Sequence, residues 1–387
     1  MLLNSKTPMK STLFKVPSLS FCLFLLLLAN VTFAQGPNNP STIGREEIST
    51  ITTAVPILTV ARDARSAALG DAGVAISPDV NSAYWNPAKL GFVTEDFSVG
   101  LSYSPWLRNI INDMSLSYLT AYKKVNERAA FSASLLYFDL GEIQFTDDIG
   151  NPLNNFNPKE YAVEVAYGQQ LSNNFGLGIG ARFIHSNLSA GINDSRPGNS
   201  AAVDIGAYYN RDLTLGAREY NLAFGANISN IGAKIAYTNA ERKDFLPTSL
   251  RLGTAITMNL DPFNKFTLAI DGNKLLVPSE IGTDNISVPR AIFSSFGDAR
   301  NGFKEEMQEV VLSTGLEYWY NDVFAARAGY FYESPNKGDR HYLSLGIGMR
   351  YEKFGIDAAY LVPNSRDNPL ANTYRFTLIL NINKEEE

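Results

Sequence analysis

Apolar and polar residues alternate along most of the chain. Between Phe97 and Tyr103, every second residue is apolar and the residues between them are Ser or Gly. Successive side chains of a β-strand point to opposite faces, so this period of two predicts a strand with one apolar and one small or polar face. The pattern recurs at 114–122, 131–137, 161–167, 175–183, 203–209, 220–228, 250–258, 266–270, 312–320, 324–332, 343–351, 354–360 and 374–382. Fourteen such segments predict an all-β fold, a closed antiparallel barrel that spans a membrane.

The connections between these segments alternate in length. The long ones are 105–113, 141–159, 187–199, 230–248, 274–308, 334–340 and 363–371. The short ones are 123–128, 170–173, 211–218, 261–265, 321 and 353. Outer-membrane barrels have short periplasmic turns and long extracellular loops. The alternation therefore predicts a multi-pass outer-membrane protein with both termini on the periplasmic side.

The second face of the segments is built mostly from Gly, Ala, Ser and Thr. A soluble β-sandwich or β-propeller would turn this face to bulk water, where Lys and Glu are expected to dominate. The face instead carries five isolated acids and five arginines, which are Glu164, Arg182, Asp204, Arg251, Asp271, Glu317, Arg327, Arg350, Asp357 and Arg375. These residues predict a lumen lined by paired charges, which favours the membrane barrel.

The N-terminus has the organisation of a secretory signal peptide. Lys6, Lys10 and Lys15 precede the apolar run Phe21–Ala29, and the small residues Thr32 and Ala34 mark a cleavage site. We therefore assign residues 1–34 to a signal peptide, 35–55 to a flexible leader, 56–96 to an N-terminal plug and 97–383 to the barrel.

Charge and cysteine content exclude several functions. Cleavage after residue 34 removes three lysines, which changes the net charge from −6 to −9 and makes nucleic acid an unfavourable ligand. Cys22 lies in the signal peptide, so the mature chain has no thiol for disulfides, catalysis or metal binding. The glycines between Gly176 and Gly180 have strand spacing, and neither His185 nor His341 belongs to a hydrolase motif. We expect no catalytic site, cofactor or metal.

The predicted plug is rich in small residues and contains four charged residues. Arg62, Asp63, Arg65 and Asp71 lie between residues 61 and 75, a stretch dominated by Ala and Gly. We expect them to pair with the lumen charges and to hold the plug in place, so that the barrel is not an open pore.

Two blocks of the plug carry a family resemblance. The block Ala61–Ala75 and the block Asn81–Leu90, which contains Asn86 and Pro87, resemble the N-terminal hallmark of the PorV family, the FadL-like barrels of the type IX secretion system. The resemblance implies a fourteen-stranded FadL-like barrel without enzymatic activity. It implies binding to the large translocon barrel and to the C-terminal signal domains of secreted cargo. It further implies transfer of cargo to a sortase-like attachment complex, in contact with outer-membrane lipid and lipopolysaccharide. The alternative is a FadL-like transporter of small hydrophobic molecules.

The first long loop is a candidate contact surface. It contains four large apolar residues at a position that we expect to be exposed to solvent, namely Trp106, Leu107, Ile110 and Ile111. Exposed apolar patches often mark binding surfaces. The alternative places them among lipid headgroups, as part of the aromatic girdle. The longest loops, 141–159 and 274–308, are the predicted platform for cargo.

Overall fold

The computed structural model describes residues 50–383 except 109–112, 147–148, 189–194, 217, 238–242, 280–285 and 364–372. Its main feature is a closed antiparallel barrel of fourteen strands. The strands are β1 (Phe97–Pro105), β2 (Ser115–Asn126), β3 (Ala129–Asp139), β6 (Lys159–Gln170), β7 (Phe175–Asn187), β8 (Gly198–Leu215), β9 (Arg218–Gly232), β10 (Ser249–Asp261), β11 (Asn264–Leu275), β12 (Val311–Tyr320), β13 (Phe324–Tyr332), β14 (His341–Tyr351), β15 (Phe354–Pro363) and β16 (Tyr374–Ile382). β1 pairs with β16 and closes the barrel. The prediction of fourteen strands is confirmed.

The alternation in sequence corresponds to the two faces of the barrel wall. On β1, Leu101 and Tyr103 point outward and are 48% exposed, whereas Ser102 between them points inward and is 2% exposed. The outward residues form the apolar surface that an outer membrane requires. Among the described residues, no helix has both the length and the apolar character needed to cross a bilayer.

The long connections all lie at one end of the barrel, which we call the outer end. One of them contains a two-stranded hairpin, β4 (Ile143–Thr146) and β5 (Pro152–Phe156), that the alternation did not predict. The described residues of the connection 276–310 form two short helices, α3 (Val288–Ser294) and α4 (Phe303–Gln308). We call residues 286–310 the outer cap.

Residues 54–93 lie inside the barrel, and we call them the lumen segment. They contain helices α1 (Ala64–Ala68) and α2 (Ser82–Trp85) and the 3₁₀ helices Pro56–Thr59 and Pro87–Phe92. The backbone N–H of Ala54 donates to the carbonyl of Phe245 at the outer end (2.9 Å). The described part of the segment therefore begins at the outer end. The signal peptide and most of the leader lie outside the described residues.

Candidate functional site

The lumen segment lies against glycines of the barrel wall. A Cβ atom placed on Gly178 would lie 2.3 Å from the backbone nitrogen of Ala88, and one on Gly329 would lie 2.0 Å from that of Gly70. Real Cβ atoms do not approach other atoms this closely. Glycine therefore lets the backbone of the lumen segment contact the backbone of the wall directly.

The first of the buried ion networks connects α1 to β12, β13 and β15. Arg65 donates to Glu317 through Nε and Nη2, at 2.9 and 2.8 Å. Arg327 donates to Glu317 (2.7 Å) and to Asp357 (2.8 Å). Arg350, which is one-fifth exposed, also pairs with Asp357 (2.7 Å). Charged hydrogen bonds in a buried site are strong, so this network attaches the lumen segment to the wall.

A second network lies on β6, β7 and β8. Arg182 donates to Glu164 (2.7 Å) and to Asp204 (2.8 Å), and all three side chains are buried. Arg62 of the lumen segment lies 3.6 Å from Glu164 and stacks on the ring of Tyr84, with its Cζ 3.9 Å from the ring centroid. The lumen segment is thus attached to two different parts of the barrel wall.

Three further wall residues bind uncharged groups of the lumen segment, which are backbone N–H and carbonyl groups and a tyrosine hydroxyl. Asp271 accepts hydrogen bonds from the backbone nitrogens of Gly73 (2.7 Å) and Val74 (2.9 Å). Arg375 donates to the carbonyl of Ala61 (2.7 Å). Arg251 donates to the hydroxyl of Tyr84 (3.1 Å).

The remaining plug residues predicted from the sequence have different roles. Asp71 lies 3.9 Å from Arg375 of the wall. Asp63 bonds within the lumen segment, where it caps α1 by accepting from Ser66 N (2.7 Å) and also accepts from Trp85 Nε1 (2.8 Å). Helix capping satisfies backbone donors that the helix itself leaves unpaired.

The Asn86-Pro87 pair starts the second 3₁₀ helix. Asn86 accepts from Ala88 N (3.1 Å) and donates to the carbonyl of Ala207 on β8 (2.9 Å). Pro87 occupies the first turn, where its missing N–H costs no hydrogen bond. The motif therefore ties this turn of the lumen segment to the barrel wall.

The described residues of the first long loop pack against the barrel. Trp106 and Leu107 are half-buried and pack against the core, and the Trp106 ring meets the edge of Phe138 at 5.8 Å. Ile110 and Ile111 lie outside the described residues. Of the four predicted contact residues, the two that are described stabilise the loop against the barrel.

The outer cap is attached to the barrel by an ion cluster that the sequence analysis missed. Lys274, at the end of β11, contacts Glu306 (2.9 Å) and Glu309. Lys337, in the connection between β13 and β14, contacts Glu305 (2.6 Å) and Glu309 (3.1 Å). The hydrogen bond from Lys337 lowers the pKa of Glu305 below its usual value. Only the spacing of the three acids, of which Glu305 and Glu306 lie in α4 and Glu309 directly follows it, signalled this cluster.

The cap also exposes large apolar side chains, which the sequence analysis placed only in a loop of unspecified structure. Phe293 and Phe303 are each 80% exposed, and Phe296 and Met307 are each 54% exposed. We call these four residues the aromatic face. Exposed apolar patches on the extracellular part of a protein commonly bind partners.

Two cavities lie on either side of the lumen segment. The periplasmic one, about 610 Å³, has a mixed polar and apolar lining that includes Asp79, Asn259 and Trp319. The outer one, about 350 Å³, lies between Ile51 and Lys337. The lumen segment separates them.

Comparisons with known proteins identify relatives of this arrangement. A sequence model of the PorV family, described as type IX secretion system protein PorV, matches residues 43–281, which include the lumen segment and β1 to β11. No curated protein matches the sequence.

Several solved outer-membrane structures are similar at low identity. The toluene transporter TodX of Pseudomonas putida shares 13% identity over 85% of this chain and 100% of its own, with a TM-score of 0.45. The toluene transporter TbuX of Ralstonia pickettii shares 12% over 82% and 96%, with a TM-score of 0.43. A FadL homologue of Pseudomonas aeruginosa shares 12% over 86% and 99%, with a TM-score of 0.42.

Proposed function

Since the chain belongs to the PorV family of the type IX secretion system, we propose that it is a closed barrel that works by binding proteins at its outer surface. In this proposal it contacts the large translocon barrel, receives cargo through the C-terminal signal domain, and passes the cargo to the sortase-like attachment complex. It performs no chemistry on the cargo itself.

The occupied lumen is the observation that carries this proposal. The lumen segment is held by ion networks on two sides of the barrel, through Arg65 to Glu317 and through Arg62 to Glu164. Backbone contact at Gly178 leaves no space for a side chain between the segment and the wall. Because a transport path would require this segment to move, the arrangement favours work done outside the lumen.

A chromosomal deletion tests the proposed function. We expect the deletion strain to accumulate secreted proteins that still carry their C-terminal signal domain, and a plasmid copy to restore cleavage and surface attachment. The readout is immunoblotting of cell fractions with an antibody to the signal domain. Normal secretion and attachment in the deletion strain would refute the proposal.

Transport of small hydrophobic molecules is the alternative. The outer cavity favours it, because Ile51, Leu275 and Val311 give the cavity an apolar lining beside its charged residues. A transporter would leave secretion intact in the deletion strain and would lose uptake of a radiolabelled monoaromatic or fatty-acid probe. The same strain therefore separates the two functions.

A further inference from the structure

The aromatic face of the outer cap results from the way its helices are oriented. On α4, Phe303 and Met307 lie four residues apart and share one face. Glu305 and Glu306 of the same helix are buried. On α3, Ala291 is buried whereas Phe293 is exposed. The acids of α4 are thus buried towards the barrel, whereas the large apolar side chains of the cap are exposed.

The acidic and basic residues of the cap also lie on different sides. The acids Glu305, Glu306 and Glu309 are turned inward and matched by Lys274 and Lys337. The exposed charged residues of the cap are basic and comprise Arg290, Arg300 and Lys304. The aromatic face is therefore accompanied by positive charge, although the whole chain has a net charge of −6.

The ion pairs with Lys274 and Lys337 attach the cap to the outer mouth, and hydrogen bonds within the cap hold its own conformation. Ala299 N donates to Glu306 and Asn301 N donates to Glu305, both at 2.9 Å. Leu276 N, at the base of the connection, donates to the carbonyl of Thr248 beside β10 (2.7 Å). A fixed surface loses little conformational freedom when a partner binds, which favours affinity.

We propose that the aromatic face with its basic neighbours binds an acidic protein partner that presents an apolar groove. The inference rests on the proposed function, which requires a protein-binding surface outside the barrel. Phenylalanines supply the buried contact, as aromatic residues do at the centre of interfaces. Arg290 and Lys304 select a partner of negative charge and accelerate its association.

Binding of a purified C-terminal signal domain with a net negative charge, taken from a protein secreted by the same system, tests this surface. The full-length protein in detergent micelles is immobilised, and the Kd of the domain is measured. The variant F293S/F296S/F303S removes the apolar contact, and R290E/K304E reverses the charge while leaving the phenylalanines. The control L215S/F263S removes two exposed apolar residues at the periplasmic end, which are 65% and 56% exposed.

We expect each cap variant to raise the Kd at least about tenfold and the control to bind like the wild type. Wild-type binding that both cap variants retain would overturn the inference and leave the proposed function standing. A wild-type protein that binds no signal domain would count against both. The cap variants could instead lose binding to lipopolysaccharide vesicles and still bind the signal domain like the wild type. That result would show that the aromatic face contacts an anionic lipid surface and would overturn the inference.

Discussion

Buried charge at single positions holds the lumen segment in the barrel. Glu317 is 2% exposed and accepts hydrogen bonds from two arginines, one on the lumen segment and one on β13. A buried pair of this kind is costly to desolvate, and removal of one partner leaves an uncompensated charge. The residues of such a network are therefore more sensitive to substitution than surface ion pairs.

Glu317→Gln is expected to reduce the free energy of unfolding by about 3–5 kcal/mol, because it leaves Arg65 and Arg327 without their shared carboxylate. The measurement is urea-induced unfolding from lipid vesicles. Asp322→Asn is the control, since Asp322 pairs with Lys265 on the surface and is 68% exposed there. Its cost should stay below about 1 kcal/mol. Equal losses in the two variants would contradict the role assigned to Glu317.

The outer cap should detach in acid but not near neutrality. The pKa of Glu305 is lowered by its hydrogen bond from Lys337. A carboxylate with a lowered pKa stabilises the folded cap at pH values above its usual pKa of 4.5. This stabilisation is lost as the pH falls through the lowered pKa. Hydrogen exchange of residues 286–310, corrected for intrinsic rates, should stay constant from pH 8 to 5 and rise only below 4.5. A rise between pH 7 and 5 would exclude this carboxylate as the cause.

At the scale of the elements, the lumen segment depends on the glycines that face it. Gly178→Val would place side-chain atoms where the backbone of Pro87 and Ala88 now lies. We expect the variant to displace this turn and to expose residues 54–93 to trypsin, because the wall cannot yield without breaking strand pairing. The measurement is the rate of tryptic cleavage in the folded protein.

Gly297→Ala is the matched control for this experiment. No atom lies within 4 Å of the position its Cβ would take. The control should be cleaved at the wild-type rate, and Gly178→Val should be cleaved faster. If Gly178→Val resists trypsin as well as the wild type does, the close contact is not what retains the segment.

The strands could be predicted from sequence because alternation reports directly on the two faces of the wall. Their ends could not, since strands continue beyond the bilayer where alternation weakens; β8 extends over Gly198–Leu215, whereas the pattern indicated 203–209. Some lumen pairs also follow from strand order, since Glu164 and Arg182 are direct neighbours in the sheet. Which wall residue meets Arg65 depends on the path of the lumen segment, and no local pattern encodes that path.

The aromatic face could not be predicted either, because it also depends on contacts between residues that are distant in sequence. Phe303 lies in α4, a short helix whose position is set by distant ion pairs, among them Lys337 with Glu305. Exposure of an apolar residue is a property of the folded molecule, and the sequence of the loop alone does not separate exposed from buried phenylalanines. The same limit applies to Trp106, whose packing against the core the sequence did not indicate.

At the scale of the whole molecule, the filled lumen predicts a protein that conducts little. In planar bilayers we expect the purified protein to show no large steady channels, and a variant that lacks residues 54–93 to show them. Large steady conductance of the intact protein would mean that the lumen segment leaves an open path.

The most direct test of a closed barrel that works through its outer surface is to prevent the lumen segment from moving. Val80 of the segment faces Gly100 of β1, where a Cβ would lie 2.7 Å from Val80 Cγ1, so V80C and G100C place two cysteines next to each other for an oxidant to join. The mature chain contains no other cysteine if the signal peptide is cleaved after residue 34. A strain that carries the oxidised double variant should secrete and attach cargo as each single-cysteine strain does. Loss of secretion that is restored by a reductant would contradict the closed-barrel mechanism.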